Sequence, residues 1–207
     1  SGADLIVKDA DTETITATFN EDMTSPPTIS IGALVTTANM SGGPRIWTYA
    51  WDVPTGNDGN HTVTVDGADV AGNAYAGSTS LIFTIDNTAP TVTLTKSGAD
   101  LIVKDADTET ITATFDEDMT SPPTISIGAL VTTANMSGGP RIWTYAWDVP
   151  AGNDGTHTVT VDGDDVAGNA YAGSKSLVFT IDNTAPTLSP VTIASNNSTT
   201  TLAKETE

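Results

Sequence analysis

Residues 58–90 read DGNHTVTVDGADVAGNAYAGSTSLIFTIDNTAP, and residues 154–186 read DGTHTVTVDGDDVAGNAYAGSKSLVFTIDNTAP. Inside each copy the apolar residues alternate, with Val63 and Val65 on one side of HTVTV and Leu81, Phe83 and Ile85 on one side of SLIFTI. A period of two belongs to an extended backbone, whose successive side chains point to opposite faces, and not to a helix. The same alternation extends outward through Ile15, Ala17 and Phe19 in TITATF and through Tyr49, Trp51 and Val53 in WTYAWDV. Turn-forming clusters separate these runs: SPP at 25–27, SGGP at 41–44, PTGNDGN at 54–60 and GADVAGNAYAG at 67–77. About seven short strands per unit, with nothing helical between them, predict an all-β chain built of antiparallel β-sandwiches. The expected core is Phe19, Tyr49, Trp51, Val63, Val65, Phe83 and Ile85, with their equivalents one unit on.

The duplication is almost perfect. Residues 1–90 and 97–186 superimpose at an offset of 96 with six exchanges: Asn20/Asp116, Thr55/Ala151, Asn60/Thr156, Ala68/Asp164, Thr79/Lys175 and Ile82/Val178. A catalyst seldom needs a second copy of itself in series, whereas length, spacing and valency do. The chain therefore divides into a first unit at 1–90, whose opening edge is incomplete for want of a counterpart to Thr91–Lys96, and a second at 91–186. A segment at 187–207 starts a divergent third copy, with Leu202-Ala203-Lys204-Glu205 standing where Ile102-Val103-Lys104-Asp105 stands in the second unit. That tail is expected to add a strand to its own unit's end or to a neighbouring chain.

Twenty-six acidic residues against seven basic ones give a net charge of −19. Such a field repels nucleic acid and anionic membrane and attracts cations. The chain has no cysteine, which removes disulfides and thiolate metal sites. No stretch approaches the roughly 18 apolar residues of a membrane span and no signal-peptide pattern opens the chain, so neither membrane insertion nor a leader is expected.

The strings DGNHTVTVDGADVAGN and LIFTIDNTAP, with their second copies, resemble the bacterial immunoglobulin-like repeats of large surface adhesins of the biofilm-associated and RTX types. Asp-x-Ala-Gly-Asn at Asp69–Asn73 and Asp165–Asn169 and Asp-x-Thr-Ala-Pro at Asp86–Pro90 and Asp182–Pro186 are its sharpest parts. The resemblance implies an extracellular stalk module on a bacterial cell surface, with calcium near the interdomain linkers. Two immunoglobulin-like sandwiches would then stack end to end, since their termini leave from opposite poles.

In that arrangement the linker Asp86–Pro90 is flanked by Asp9 and Asp11 from unit one and by Asp116, Glu117, Asp118, Asp162, Asp164 and Asp165 from unit two. Carboxylates, an Asn side chain and main-chain carbonyls are the hard oxygen donors that Ca2+ takes, six to eight at a time. The tightest site is expected at Asp86, Asn87, Glu117, Asp118, Asp162 and Asp165. The outer pole of unit one, with Glu21, Asp22, Asp66 and Asp69, should bind more weakly because Asn20 and Ala68 replace Asp116 and Asp164. The plainer alternative is that these are solvated turn aspartates. No EF-hand loop or Gly-Gly-x-Gly-x-Asp nonapeptide is present, so a calcium site must be assembled from separate loops.

Two functions follow from the pattern. One is a structural extender of a surface adhesin, rigidified by calcium between neighbouring repeats of the same chain; the other is a repeated adhesion module that recognises a surface glycan or host protein by avidity. The second would use exposed aromatics. Trp47, Tyr49 and Trp51, with 143, 145 and 147, share one strand face that fits the core, and Trp47, nearest the strand end, is the candidate for exposure. His61 and His157 stand alone, and no Gly-x-Ser-x-Gly elbow or paired nucleophile and base points to catalysis.

Overall fold

The computed structural model describes residues 5–75, 77, 80–173 and 175–192. In unit one the strands are β1 (Ile6–Val7), β2 (Thr12–Thr18), β3 (Thr28–Ile31), β4 (Val35–Asn39), β5 (Ser41–Gly42), β6 (Ile46–Asp52), β7 (Gly59–Asp66) and β8 (Leu81–Ile85). Unit two contains β9 (Val92–Lys96), β10 (Ile102–Val103), β11 (Thr108–Phe115), β12 (Thr124–Ile127), β13 (Val131–Asn135), β14 (Ser137–Gly138), β15 (Ile142–Asp148), β16 (Gly155–Asp162) and β17 (Leu177–Ile181). Seven of the unit-two strands are four residues or longer, and no helix interrupts them among the described residues.

Each unit is a two-sheet sandwich. Five strands in the order β1-β8-β7-β3-β4 face a three-stranded sheet β2-β6-β5, and β10-β17-β16-β12-β13 faces a four-stranded sheet β14-β15-β11-β9. Pairing is antiparallel except at β1 with β8 and β10 with β17, which run parallel over two residues each. These two-residue strands sit in Leu-Ile-Val runs too short to show a period, and their partners lie far off in sequence.

Sheets with one buried face need a jigsaw of inward side chains. In unit two that core is Val92, Val103, Ile111, Ala113, Phe115, Met119, Ile125, Ile127, Met136, Trp143, Trp147, Val149, Val159, Val161, Tyr171, Phe179 and Ile181. Unit one buries fewer: Trp51, Val63, Phe83 and Ile85 are buried as expected, whereas Phe19, Tyr49 and Val65 are half-buried against the cluster. The difference has a single structural source. Strand β9 runs antiparallel to β11 with Val92 opposite Phe115 and Leu94 opposite Ala113, and β2 has no such neighbour among the described residues.

The tryptophans of the strand face expected in the core do lie there, Trp47, the candidate for exposure, among them. Trp47 is only 6% exposed and Trp143 likewise, because the ring folds over Gly43, where an added Cβ would lie 3.2 Å from it. Its indole N–H donates to the Pro44 carbonyl at 3.2 Å, so the polar end is satisfied without water. The expected third copy from Leu202 to Glu205 lies outside the described residues; residues 187–192 join no strand, and Leu188 and Val191 are exposed.

Candidate metal centre at the junction of the two units

The linker after β8 is held from unit one. The Asp58 carboxylate accepts hydrogen bonds from the Thr88 hydroxyl at 2.6 Å, the Asn87 side-chain amide at 2.9 Å and the Asn87 N–H at 3.1 Å. The Asn87 side-chain oxygen Oδ1 accepts from Asp9 N–H. The Thr88 hydroxyl, ahead of the Asn87 bonds, holds the Asp58 carboxyl below the usual carboxylate range. The same network recurs at Asp154, Asn183 and Thr184. Each unit thus fixes the exit direction of its own linker.

Unit two meets that linker with two loops. After β11, the carboxylate of Asp116 accepts from the Thr91 N–H at 2.6 Å and hydroxyl at 2.8 Å, and the N–H bond chiefly holds it below its ordinary value. After β16, the turn Asp165–Asn169 is tied by Asp165 itself, whose carboxylate accepts from Asn169 N–H at 2.8 Å and from its side-chain amide at 3.0 Å. Gly168 takes φ +83° there, a left-handed conformation that glycine adopts at little cost. Across the junction the Asn169 amide donates to the Asp86 carbonyl at 2.9 Å, and the Lys8 ammonium donates to the Gly168 carbonyl at 2.6 Å.

Docking these loops on the linker brings Asp86, Glu117 and Asp165 together, with one carboxylate oxygen from each within 4.8 Å of the others. Asp165 is 1% exposed, and Asp86 and Glu117 are half-buried. Among the described residues the ion pairs are Arg45–Asp22, Lys96–Glu109 and Arg141–Asp118, so no basic side chain pairs with the three. Burial first, and then the charges of Asp86, Asp165 and Asp116, push the Glu117 carboxyl up to about 7. Unit charges at such separations repel by roughly 3 kcal/mol per pair at an effective dielectric near 20.

The other sequence candidates lie apart from this cluster. Asp118 is engaged by Arg141 and Asp22 by Arg45. Asp11 accepts from Lys8 N–H at 2.9 Å, Asp162 from Gly163 N–H at 2.9 Å, and Asn87 serves the linker network described above. Asp9, Asp164, Glu21 and Asp66 are exposed. Asp69 repeats the Asp165 turn, accepting from Asn73 at 2.7 and 2.8 Å, at a pole where no linker carboxylate joins it among the described residues. Sequence reasoning missed Asp58, Thr88, Lys8 and Asn169. The duplication of Asp58 as Asp154 was a signal, but the roles of Lys8 and Asn169 exist only once two units dock.

The donor set suits a hard cation. It offers three carboxylates and no imidazole or thiolate, which fits Ca2+ and not a metal that selects nitrogen or sulfur. Each Asp165 oxygen receives one hydrogen bond from Asn169 and keeps a lone pair for an ion.

Tandem sandwiches with a cation-suited junction define an immunoglobulin-like repeat protein. Residues 45–140 and 141–206 each match the bacterial Ig-like domain (group 3), and the chain belongs to that family. The two matches start 141 − 45 = 96 residues apart, the period of the repeat. No curated protein sequence matches the chain. Among solved structures it is similar to the fibronectin(III)-like modules of Clostridium thermocellum CbhA, at 17% identity over 87% of this chain and 90% of that one, with a TM-score of 0.40. It is also similar to a Ca2+-stabilized adhesin that helps an Antarctic bacterium reach out and bind ice, at 18% identity over 87% and 47% of the two chains, TM-score 0.43. A third likeness is to dimeric latent PorU from Porphyromonas gingivalis, at 10% identity over 88% and 23%, TM-score 0.35. Among the described residues no helix is long and apolar enough to cross a membrane.

Proposed function

We propose that the chain is an extender segment of a bacterial surface adhesin, in which calcium at the junction of repeats 1–90 and 91–186 converts a flexible pair of sandwiches into a stiff one outside the cell. The observation that carries this reading is the convergence of Asp86, Glu117 and Asp165 from three separate segments, none of them in an ion pair with a basic side chain among the described residues. Left without a cation, the cluster drives the units apart or retains a proton; a divalent ion turns repulsion into attraction. The ion would supply charge neutralisation and a bridge between linker and loops. Asp165 and Asn169 hold one side of the site rigid and the Asp58–Asn87–Thr88 network holds the other.

Affinity need only be modest, since extracellular modules bind calcium at about 10⁻⁴–10⁻³ M. A site tenfold below the ambient calcium level adds about 1.4 kcal/mol to the docked geometry. Family membership and serial duplication support a spacing role and favour no catalytic one. The ligand-binding alternative loses its aromatic platform, because Trp47 and Trp143 are buried. Isothermal titration of the chain with calcium tests the proposal. Heat from at least one site, abolished by Asp165→Ala, is expected; no binding at millimolar calcium overturns it.

A further inference from the structure

Among the described residues the buried charged side chains are Asp165 and Glu109, and the junction uses only the first. Glu109, on β11, gathers the segment that ends β9. Its carboxylate accepts from the Lys96 ammonium at 3.4 Å, the Ser97 hydroxyl at 2.9 Å and the Gly98 N–H at 3.1 Å. The Lys96 ammonium also stands 5.6 Å from the centre of the Phe179 ring, a favourable place for a cation. Ser97 is tied back to β11 twice, through its hydroxyl to the Thr110 N–H at 2.9 Å and through its own N–H to the Thr110 carbonyl at 3.0 Å. Burial pushes the Glu109 carboxyl up, but the Gly98 N–H, the Ser97 hydroxyl and the Lys96 charge outweigh that and hold it below the usual carboxylate range. The pair stays charged.

The other end of β9 is gripped in the same manner, since the Asp116 carboxylate takes the Thr91 N–H and hydroxyl. Between the two grips lie five residue pairs, from Val92 opposite Phe115 to Lys96 opposite Ile111. A buried ion pair is a poor way to add stability, because apolar side chains of similar volume often do as well or better. What it adds is direction. Hydrogen bonds weaken steeply once bent or stretched, whereas apolar burial depends on area and not on orientation.

Direction matters for a domain pulled through its ends. Tension enters unit two at Pro90–Thr91 and leaves it at Ile181–Asp182. Strand β11 runs from the turn Lys104–Asp107 to the loop at Asp116, and the Asp182 N–H is bonded to the Val103 carbonyl beside that turn at 2.9 Å. Strand β9 therefore lies along the line of pull, and tension on Thr91 draws it lengthwise against β11, loading the ladder and both grips together. Once β9 slips, the load passes to β10 and β17, which pair over only two residues.

We propose that Glu109, with Lys96, Ser97 and Gly98, forms a mechanical lock that holds β9 to β11 when unit two is pulled lengthwise. The source of the load rests on the extender reading, whereas the lock belongs to unit two alone and involves no calcium.

Single-molecule pulling of the full chain tests it. The chain has no cysteine, so Ala89→Cys/Leu188→Cys supplies handles that load β9, and Lys104→Cys/Leu188→Cys supplies handles that leave β9 outside the path of load. In EDTA at constant force, Glu109→Gln should shorten the lifetime of unit two by about tenfold or more between the first handles and by less than about threefold between the second, since forced unfolding reads the unfolding rate. Ser97→Ala, which removes one donor and spares the charge pair, should show the same order with a smaller change, and it carries the comparison if Glu109→Gln does not fold. No shortening between the first handles overturns the proposal. Equal shortening between both pairs overturns it too, because Glu109 then stabilises the fold without bearing load. Absence of calcium binding in titration would remove the extender reading and leave these lifetimes as they are.

Discussion

At the scale of single residues, Glu117 decides how the junction responds to pH. Its carboxyl, pushed up to about 7 when docked, returns toward the ordinary 4.5 when the units separate. The docked form therefore binds more protons between those values. Docking without calcium should be fully favoured below the lower value and be lost as pH rises through the upper one. In EDTA, interdomain energy transfer between dyes on the two units should fall from about pH 5 to about pH 8, and Glu117→Gln should flatten that profile. On the proposed reading calcium would displace the same proton, so its affinity should weaken as pH falls through 7, and titrations in buffers of different ionisation heat should reveal proton release on binding. A flat profile in the unmodified chain would show that Glu117 ionises as freely in the junction as outside it. Glu117→Gln should also weaken calcium binding by about tenfold or more, since hard-cation affinity follows ligand charge.

At the scale of the strand, β9 makes identical residues unequal. Phe115 is 2% exposed under Val92 and Phe19 is half-buried. Phe115→Ala should cost about 3–5 kcal/mol, the range for a large buried side chain, and Phe19→Ala distinctly less, as calorimetry of the two variants will show. Equal losses would mean that β9 adds nothing to the packing of its unit. Most of this architecture was legible in the sequence, because the alternation in TITATF, WTYAWDV, HTVTV and SLIFTI reports directly which faces are buried. The parallel pairs β1–β8 and β10–β17 were not, since two-residue strands show no period. Trp47 lies in the core with its strand face; only its selection as the candidate for exposure failed, because position in a strand says nothing of a ring folding back over Gly43. For the site, turn chemistry marked the acidic loops, and Asp86, Glu117 and Asp165 stood among fourteen candidates. Which three converge depends on how the units dock; Asn169 was visible only as the end of the Asp-x-Ala-Gly-Asn motif, with nothing to show its bond across the junction, and Lys8 carries no signature of its own.

At the scale of the molecule, the linker network and the acidic junction divide the work. Asp58, Asn87 and Thr88 aim the linker, while one hydrogen bond from Asn169 ties the linker to unit two and one from Lys8 ties unit one to it. Two such bonds contribute a few kcal/mol at most, which unneutralised carboxylates oppose with similar magnitude. Orientation is therefore balanced finely enough for one ion to decide it. Asp58→Ala should broaden the interdomain angles even with calcium present, by freeing the linker and leaving the carboxylate cluster intact; a narrow distribution in spin-label distance measurements would show that the network is dispensable. The central claim is that calcium acts at the junction and not on each acidic loop separately. Small-angle scattering of the unmodified chain, Asp165→Ala and Asp69→Ala, each in calcium and in EDTA, tests it most directly. The account predicts a longer maximum dimension and a narrower angle distribution in calcium for the unmodified chain and for Asp69→Ala, and the broad EDTA profile in both conditions for Asp165→Ala. Indistinguishable profiles with and without calcium in the unmodified chain, or equal effects of the two substitutions, would contradict it.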